Sequence, residues 1–60
     1  MTNDAPTYTV LQKRDKLFIT TDSNAFNLVL TENYDVIDIE MSMEDAEAYV
    51  VEAGQQVWYI

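Results

Sequence analysis

The 60-residue sequence predicts an α+β fold: a small antiparallel sheet, made of a four-strand meander plus a C-terminal strand, with one helix between the fourth and fifth strands. Three observations carry that expectation. Short runs of β-forming residues recur between turn-forming clusters. "VIDIEM" (36–41) alternates apolar and acidic residues with a period of two. "SMEDAEAYVVEAG" (42–54) has the spacing, cap and stop of a short helix.

Residues 1–7 are polar, hold the only proline and read as a flexible tail ahead of a single domain over 8–60. "YTVLQK" (8–13) and "KLFITT" (16–21) flank Arg14-Asp15 as a hairpin would, although neither turn residue is Gly or Asn. "DSNA" (22–25) reads as a turn. "FNLVLT" (26–31) reads as a third strand, with Phe26, Leu28 and Leu30 on one face. "ENYD" (32–35) makes the next turn. In "VIDIEM", Ile37, Ile39 and Met41 are expected on one face and Asp38 and Glu40 on the other.

Ser42 is a favourable N-cap, and Asp45 stands at the capping-box position three residues later. Glu44, Asp45 and Glu47 suit the positive end of the helix dipole. Gly54, the one glycine, falls where a left-handed residue ends a helix. At ~100° per residue, Met43, Ala46, Tyr49, Val50 and Ala53 form an inner arc. Glu44, Asp45, Glu47, Ala48, Val51 and Glu52 form the outer one. "QQVWYI" (55–60) reads as the last strand, expected to pair with residues 8–13, with Trp58 and Tyr59 on opposite faces. An SH3-like barrel with an enlarged helical turn is the alternative arrangement.

Composition narrows the chemistry. With no Cys and no His, disulfides, thiolate–zinc and imidazole–metal sites are excluded, and so is any Cys–His nucleophile pair. There is no glycine-rich phosphate loop. A domain of this length offers little room for a cleft that would raise a carboxyl pKa, so the expectation is a protein that is not an enzyme and carries no cofactor. Asp38 and Glu40, with Cα atoms about 7 Å apart on a strand, could face a hard cation. No EF-hand spacing accompanies them, so a solvated strand face is the reading and no metal site is assigned. The lack of cysteine fits a cytoplasmic protein, and residues 1–10 do not resemble a signal peptide.

Charge is the unusual feature. Eleven acids face three bases, for a net charge of −8. The bases, Lys13, Arg14 and Lys16, sit together, and none follows. Asp22, Glu32, Asp35, Asp38, Glu40, Glu44, Asp45, Glu47 and Glu52 all come later. Such a chain does not suit direct contact with nucleic acid or an anionic membrane, which require cationic surface. Interspersed lysines would have relieved the repulsion among these acids. The candidate partner-binding residues are therefore Asp38, Glu40, Glu44, Asp45, Glu47, Ala48, Val51 and Glu52, with Val51 and Ala48 as an apolar centre inside a charged rim.

In length, acidity and lack of catalytic side chains, the chain resembles small phage-encoded inhibitors of host enzymes and defence systems, including nucleic-acid mimics. The resemblance lies in outline and composition, and assigns no residue a role. It implies an acidic inhibitor that docks on a basic, nucleic-acid-handling protein. The alternative is a self-associating structural or accessory subunit, a homodimer at its simplest, whose acids merely keep it in solution.

Overall fold

A computed structural model describes residues 6–60. The elements in chain order are β1 (Tyr8–Lys13), β2 (Lys16–Thr21), α1 (Asp22–Glu32), β3 (Asp35–Met41), α2 (Met43–Glu52) and β4 (Trp58–Tyr59). They form a small α+β domain with a four-stranded mixed sheet in the order β3-β1-β2-β4. The expected tail over 1–7 lies mostly outside the described residues. Of its last residues, Thr7 is tied to the start of α1, where its carbonyl accepts the Asp22 N–H at 3.3 Å.

The hairpin forms in the expected register. Lys13 pairs with Lys16 across the Arg14-Asp15 turn. Arg14 takes a left-handed φ of 58°, a position that hairpins usually give to Gly or Asn.

The largest correction concerns residues 22–32. The expected turn and third strand are one helix, α1. Thr21 caps it, its hydroxyl accepting the Asn24 N–H at 3.3 Å, and Asn33 ends it with a left-handed φ of 65°. The alternation of Phe26, Leu28 and Leu30 is not a strand face. Phe26 and Leu30, four apart, share one helical stripe, and both are 68% exposed.

That helix changes the topology. β1 is antiparallel to both β2 and β3, so β2 and β3 run the same way, and β4 is parallel to β2. Both β2–α1–β3 and β3–α2–β4 are therefore crossovers between parallel strands rather than meander turns. They travel across the sheet in opposite directions. Two crossovers of the same hand must then lie on opposite faces, and α1 and α2 do. The expected pairing of the last strand with residues 8–13 is replaced by parallel pairing of Phe18 with Trp58 and Ile19 with Tyr59. The sheet is open, with β3 and β4 as edges, so it is not an SH3-like barrel.

The two faces are unequally packed. On the α2 side, Val10, Leu17, Ile19, Ala46 and Val50 form the core, with Tyr8, Ile37, Met41, Met43 and Val57 against it. On the α1 side, Thr9, Leu11, Thr20 and Ala25 are buried, and Ala25 is the one buried residue of α1. Polar bonds supply much of that docking: Asn24 Nδ2 donates to Thr20 Oγ1 at 2.7 Å, and Thr20 Oγ1 donates to the Ile60 carbonyl at 2.8 Å.

α2 follows its sequence signals closely. Ser42 Oγ accepts the Asp45 N–H at 3.0 Å. The Gly54 N–H bonds the Val51 carbonyl and the Gln55 N–H bonds the Val50 carbonyl, which is the two-bond Schellman stop, with Gly54 at φ 77°. Tyr49 and Ala53, expected on the inner arc, are both exposed. The last strand is shorter than expected, two residues instead of six. Trp58 and Tyr59 are consequently both exposed, because a two-residue edge strand presents little backbone for either layer to cover.

Candidate protein-binding surface

β3 does not alternate as its sequence suggests. Against β1 it pairs Met41 with Tyr8, Asp38 with Val10 and Val36 with Leu11, so the register slips twice. Each slip is a β-bulge, an extra residue in β3 that re-aims the side chains beyond it. Glu40 lies in the first bulge with a left-handed φ of 57°. Ile37 and Met41 still reach the α2-side core. Ile39, expected beside them, is 53% exposed and turns to the α1 side. Asp38 and Glu40 are likewise separated. Asp38 is opposite Val10, whose side chain enters the α2-side core, whereas Glu40 borders α1.

The bulge and the thin docking of α1 together leave a groove of about 300 Å³ between α1 and β3. Phe26 and Val29 of α1 form one wall, and Val36 and Ile39 of β3 form the other. Thr9 and Ala25 lie at its base, and the carboxylates of Asp22 and Glu40 border one end. Leu30, one turn beyond Phe26, is exposed but does not line the groove.

Asp22 fixes that end. Its carboxylate accepts the hydroxyls of Thr7 and Thr9 and, at 3.3 Å, the backbone N–H of Glu40. The Thr7 and Thr9 hydrogen bonds hold its pKa below the usual carboxylate value against a small opposing desolvation, and the Glu40 bond adds to the lowering. Asp22 is thus ionised at neutral pH and braces the bulge that opens the groove. Asp22, expected in a turn, is instead the first residue of α1. Its sequence signal is Thr21-Asp22, an N-cap followed by a first-turn acid.

The acids assigned to partner binding are distributed as follows. Glu44 and Asp45 are exposed on the first turn of α2, and Glu52 on its last. Val51, 61% exposed, and Ala48 stand on the outer side of the same helix. Glu47 is partly buried, because its carboxylate accepts the Tyr59 hydroxyl; that bond, more than desolvation or the nearby negative charge, raises the Tyr59 pKa. Glu40 borders the groove on the other side of the sheet. The eight residues therefore do not form one patch: six lie on α2, one on the β3 edge and one at the groove.

The cations are gathered in space as they are in sequence. Lys13 Nζ lies 4.9 Å from the centre of the Tyr34 ring and Lys16 Nζ 5.5 Å from that of Trp58, one on each side of the hairpin tip. Phe18 meets Tyr34 edge-on at 5.5 Å, which steadies the first of these. A wider hollow of about 480 Å³ at the tip includes Asp15 among Lys13, Arg14 and Lys16, so an anion there would meet a carboxylate.

Both helices start at the end of the sheet opposite this tip, after Thr21 and Met41, and run back toward it. Asp22, Glu40, Glu44 and Asp45 consequently cluster at the remote end. Among the described residues, no group of three carboxylates is placed to hold a metal ion, and no helix is long and apolar enough to cross a membrane. No protein-family profile, curated protein or solved structure matches the chain.

Proposed function

We propose that the chain is a non-enzymatic, acidic binding protein that docks on a basic, nucleic-acid-handling protein and inhibits it, as a nucleic-acid mimic or a phage-type anti-host or anti-defence factor would. The observation that supports this reading is the confinement of all three bases to one end of the sheet, which Asp15, Glu32, Asp35 and Glu52 share, so that the acids at the other end are left uncompensated. Two of the bases lie over aromatic rings. The N-terminal ends of both helices carry acids at the other end, beyond reach of those bases. A negative pole of this kind orients the molecule toward a cationic groove before contact and speeds association. The absence of cysteine suits action in the cytoplasm, that of the host if the chain is phage-encoded.

The test is competition. The immobilised protein is exposed to cytoplasmic extract, and the retained protein is challenged with duplex DNA and with rising salt. Release by both is the expected result, as is weak capture by a variant carrying Asp38→Asn, Glu44→Gln and Glu52→Gln. Those three carboxylates are exposed, and none bonds a residue of another element. Equal capture by the triple variant, or a partner that DNA does not displace, overturns the reading.

The exposed groove favours a second reading, a self-associating subunit whose copies cover one another's apolar surface. A dilution series followed by sedimentation separates the two. A mass that falls on dilution supports self-association, and a constant monomer mass removes it.

A further inference from the structure

We infer that the groove between α1 and β3 is the docking cleft for a cationic amphipathic helix of the partner, whose apolar side chains insert between Phe26 and Ile39. This rests on the proposed binding to a basic protein and adds an apolar docking cleft to the charged surface that attracts the partner.

Three features select the occupant. The first is the apolar area. On its walls, Phe26 is 68% exposed, Ile39 53% and Val36 50%. Large apolar side chains on both walls of one groove are a contiguous patch rather than scattered exposure. The second is the edge. β3 is an edge strand with two bulges, a left-handed Glu40 and the carboxylates of Asp35 and Asp38. Bulges and charges of this kind turn away an added strand, so the occupant is not a β-strand. A helix satisfies its own backbone bonds and needs only an apolar stripe, the mode by which helices lie in grooves. The third is the sign of the rim. Asp22 and Glu40 border the groove, and no base lines it. A second copy would bring this rim against another like it. A helix with lysine or arginine flanking its apolar stripe would meet the rim with opposite charge while its aliphatic residues fill the cleft.

The experiment uses the full chain, isotope-labelled for amide spectra, and a leucine–lysine amphipathic helical peptide of about 18 residues, five turns. A glutamine-for-lysine version of the peptide is the control. Perturbed amides at 25–30 and 36–40, with affinity reduced roughly tenfold by Phe26→Ser and by the glutamine peptide, are the expected result. The exposure of Phe26 keeps the Ser variant folded, and unchanged amide dispersion verifies that. Perturbation confined to 44–52 and insensitive to Phe26→Ser overturns the cleft while leaving the acidic-binding reading standing. Equal binding of the glutamine peptide overturns both. Absence of any perturbation overturns the cleft, and concentration-dependent shifts at these amides without peptide overturn it in favour of a second copy.

Discussion

Asp22 and Glu40 are eighteen residues apart, yet the carboxylate of the first accepts the backbone N–H of the second. The bond joins the first turn of α1 to the bulge of β3, the two elements that wall the groove. Thr7 and Thr9 donate to the same carboxylate, so one side chain ties four points of the chain. Replacing Asp22 with Ala leaves these donors unpaired, Thr9 buried among them. At about 0.5–1.5 kcal/mol per hydrogen bond, the three bonds predict a loss of about 1.5–4.5 kcal/mol, read from urea unfolding. Asp22→Asn retains acceptor and donor atoms and loses less. The lowered folded-state pKa sets the pH dependence. The stabilisation is fully present above the unfolded-state value of about 3.9, and it disappears as pH falls through the lower folded-state value. Acid unfolding of the parent should therefore flatten in Asp22→Asn. An unchanged acid profile would show that the bond does not contribute.

Glu40 pairs a strained backbone with a carboxylate at the groove. An L-residue in the left-handed region costs roughly 1–2 kcal/mol. Glycine removes that strain but loses about 0.5–1 kcal/mol to its greater unfolded-state freedom. Glu40→Gly is expected to be equally stable or up to about 1.5 kcal/mol more stable. It should also bind a cationic helix more weakly, since the rim loses a charge. Stability and affinity moving in opposite directions is the pattern of a residue retained for contact rather than for folding. Calorimetric melting and peptide titration of the one variant measure both quantities.

Burial separates the two sets of large apolar residues. Leu11 is fully buried, whereas Phe26, though larger, is mostly exposed. Leu11→Ala should cost about 2–5 kcal/mol. A 60-residue domain has a total stability of about 3–9 kcal/mol, so that variant should lose about half of it and melt at a much lower temperature by far-UV circular dichroism. Phe26→Ser should change the melting transition by no more than about 0.5 kcal/mol. A severe loss in Phe26→Ser would mean that Phe26 belongs to the core and that the groove is closed in solution.

The contrast between α1 and α2 shows what was legible in the sequence. α2 has a cap, a stop glycine and an inner arc whose Ala46 and Val50 are buried, so local chemistry and tertiary packing point the same way. α1 has a cap at Thr21 and a left-handed Asn33, but its apolar residues do not form one inward stripe. Phe26 and Leu30 face out, and with Leu28 they imitate a strand. Phe26, the first residue of that imitation, is also a wall of the groove. β3 differs for a related reason: its strict alternation predicts a regular strand, and the bulge at Glu40 is held by Asp22, which is distant in sequence. A helix taken for a strand removed one of the two crossovers, so the parallel pairing of β2 with β4 was out of reach. The acids were countable in the sequence, but their division between α2, the β3 edge and the groove was not.

The net charge of −8 predicts how stability responds to salt. Nine acids follow the last base, and four of them lie at the end of the sheet remote from the hairpin tip. Their mutual repulsion opposes the folded state and is weakened by screening, because the Debye length falls from about 30 Å at 0.01 M to about 8 Å at 0.15 M ionic strength. The melting temperature should therefore rise with sodium chloride over that interval. A relief of about 1 kcal/mol corresponds to roughly 4–8 °C in a domain of this size. Neutralising Asp38, Glu44 and Glu52 should raise the melting temperature at low salt and shrink its salt-dependent rise. Glu44 tempers the effect, because a first-turn acid also stabilises its own helix by about 0.3–1 kcal/mol. Binding to a cationic partner should respond in the opposite direction, weakening as salt rises. If added salt lowers the melting temperature instead, the carboxylates are compensated within the fold, and a negative pole no longer accounts for their number.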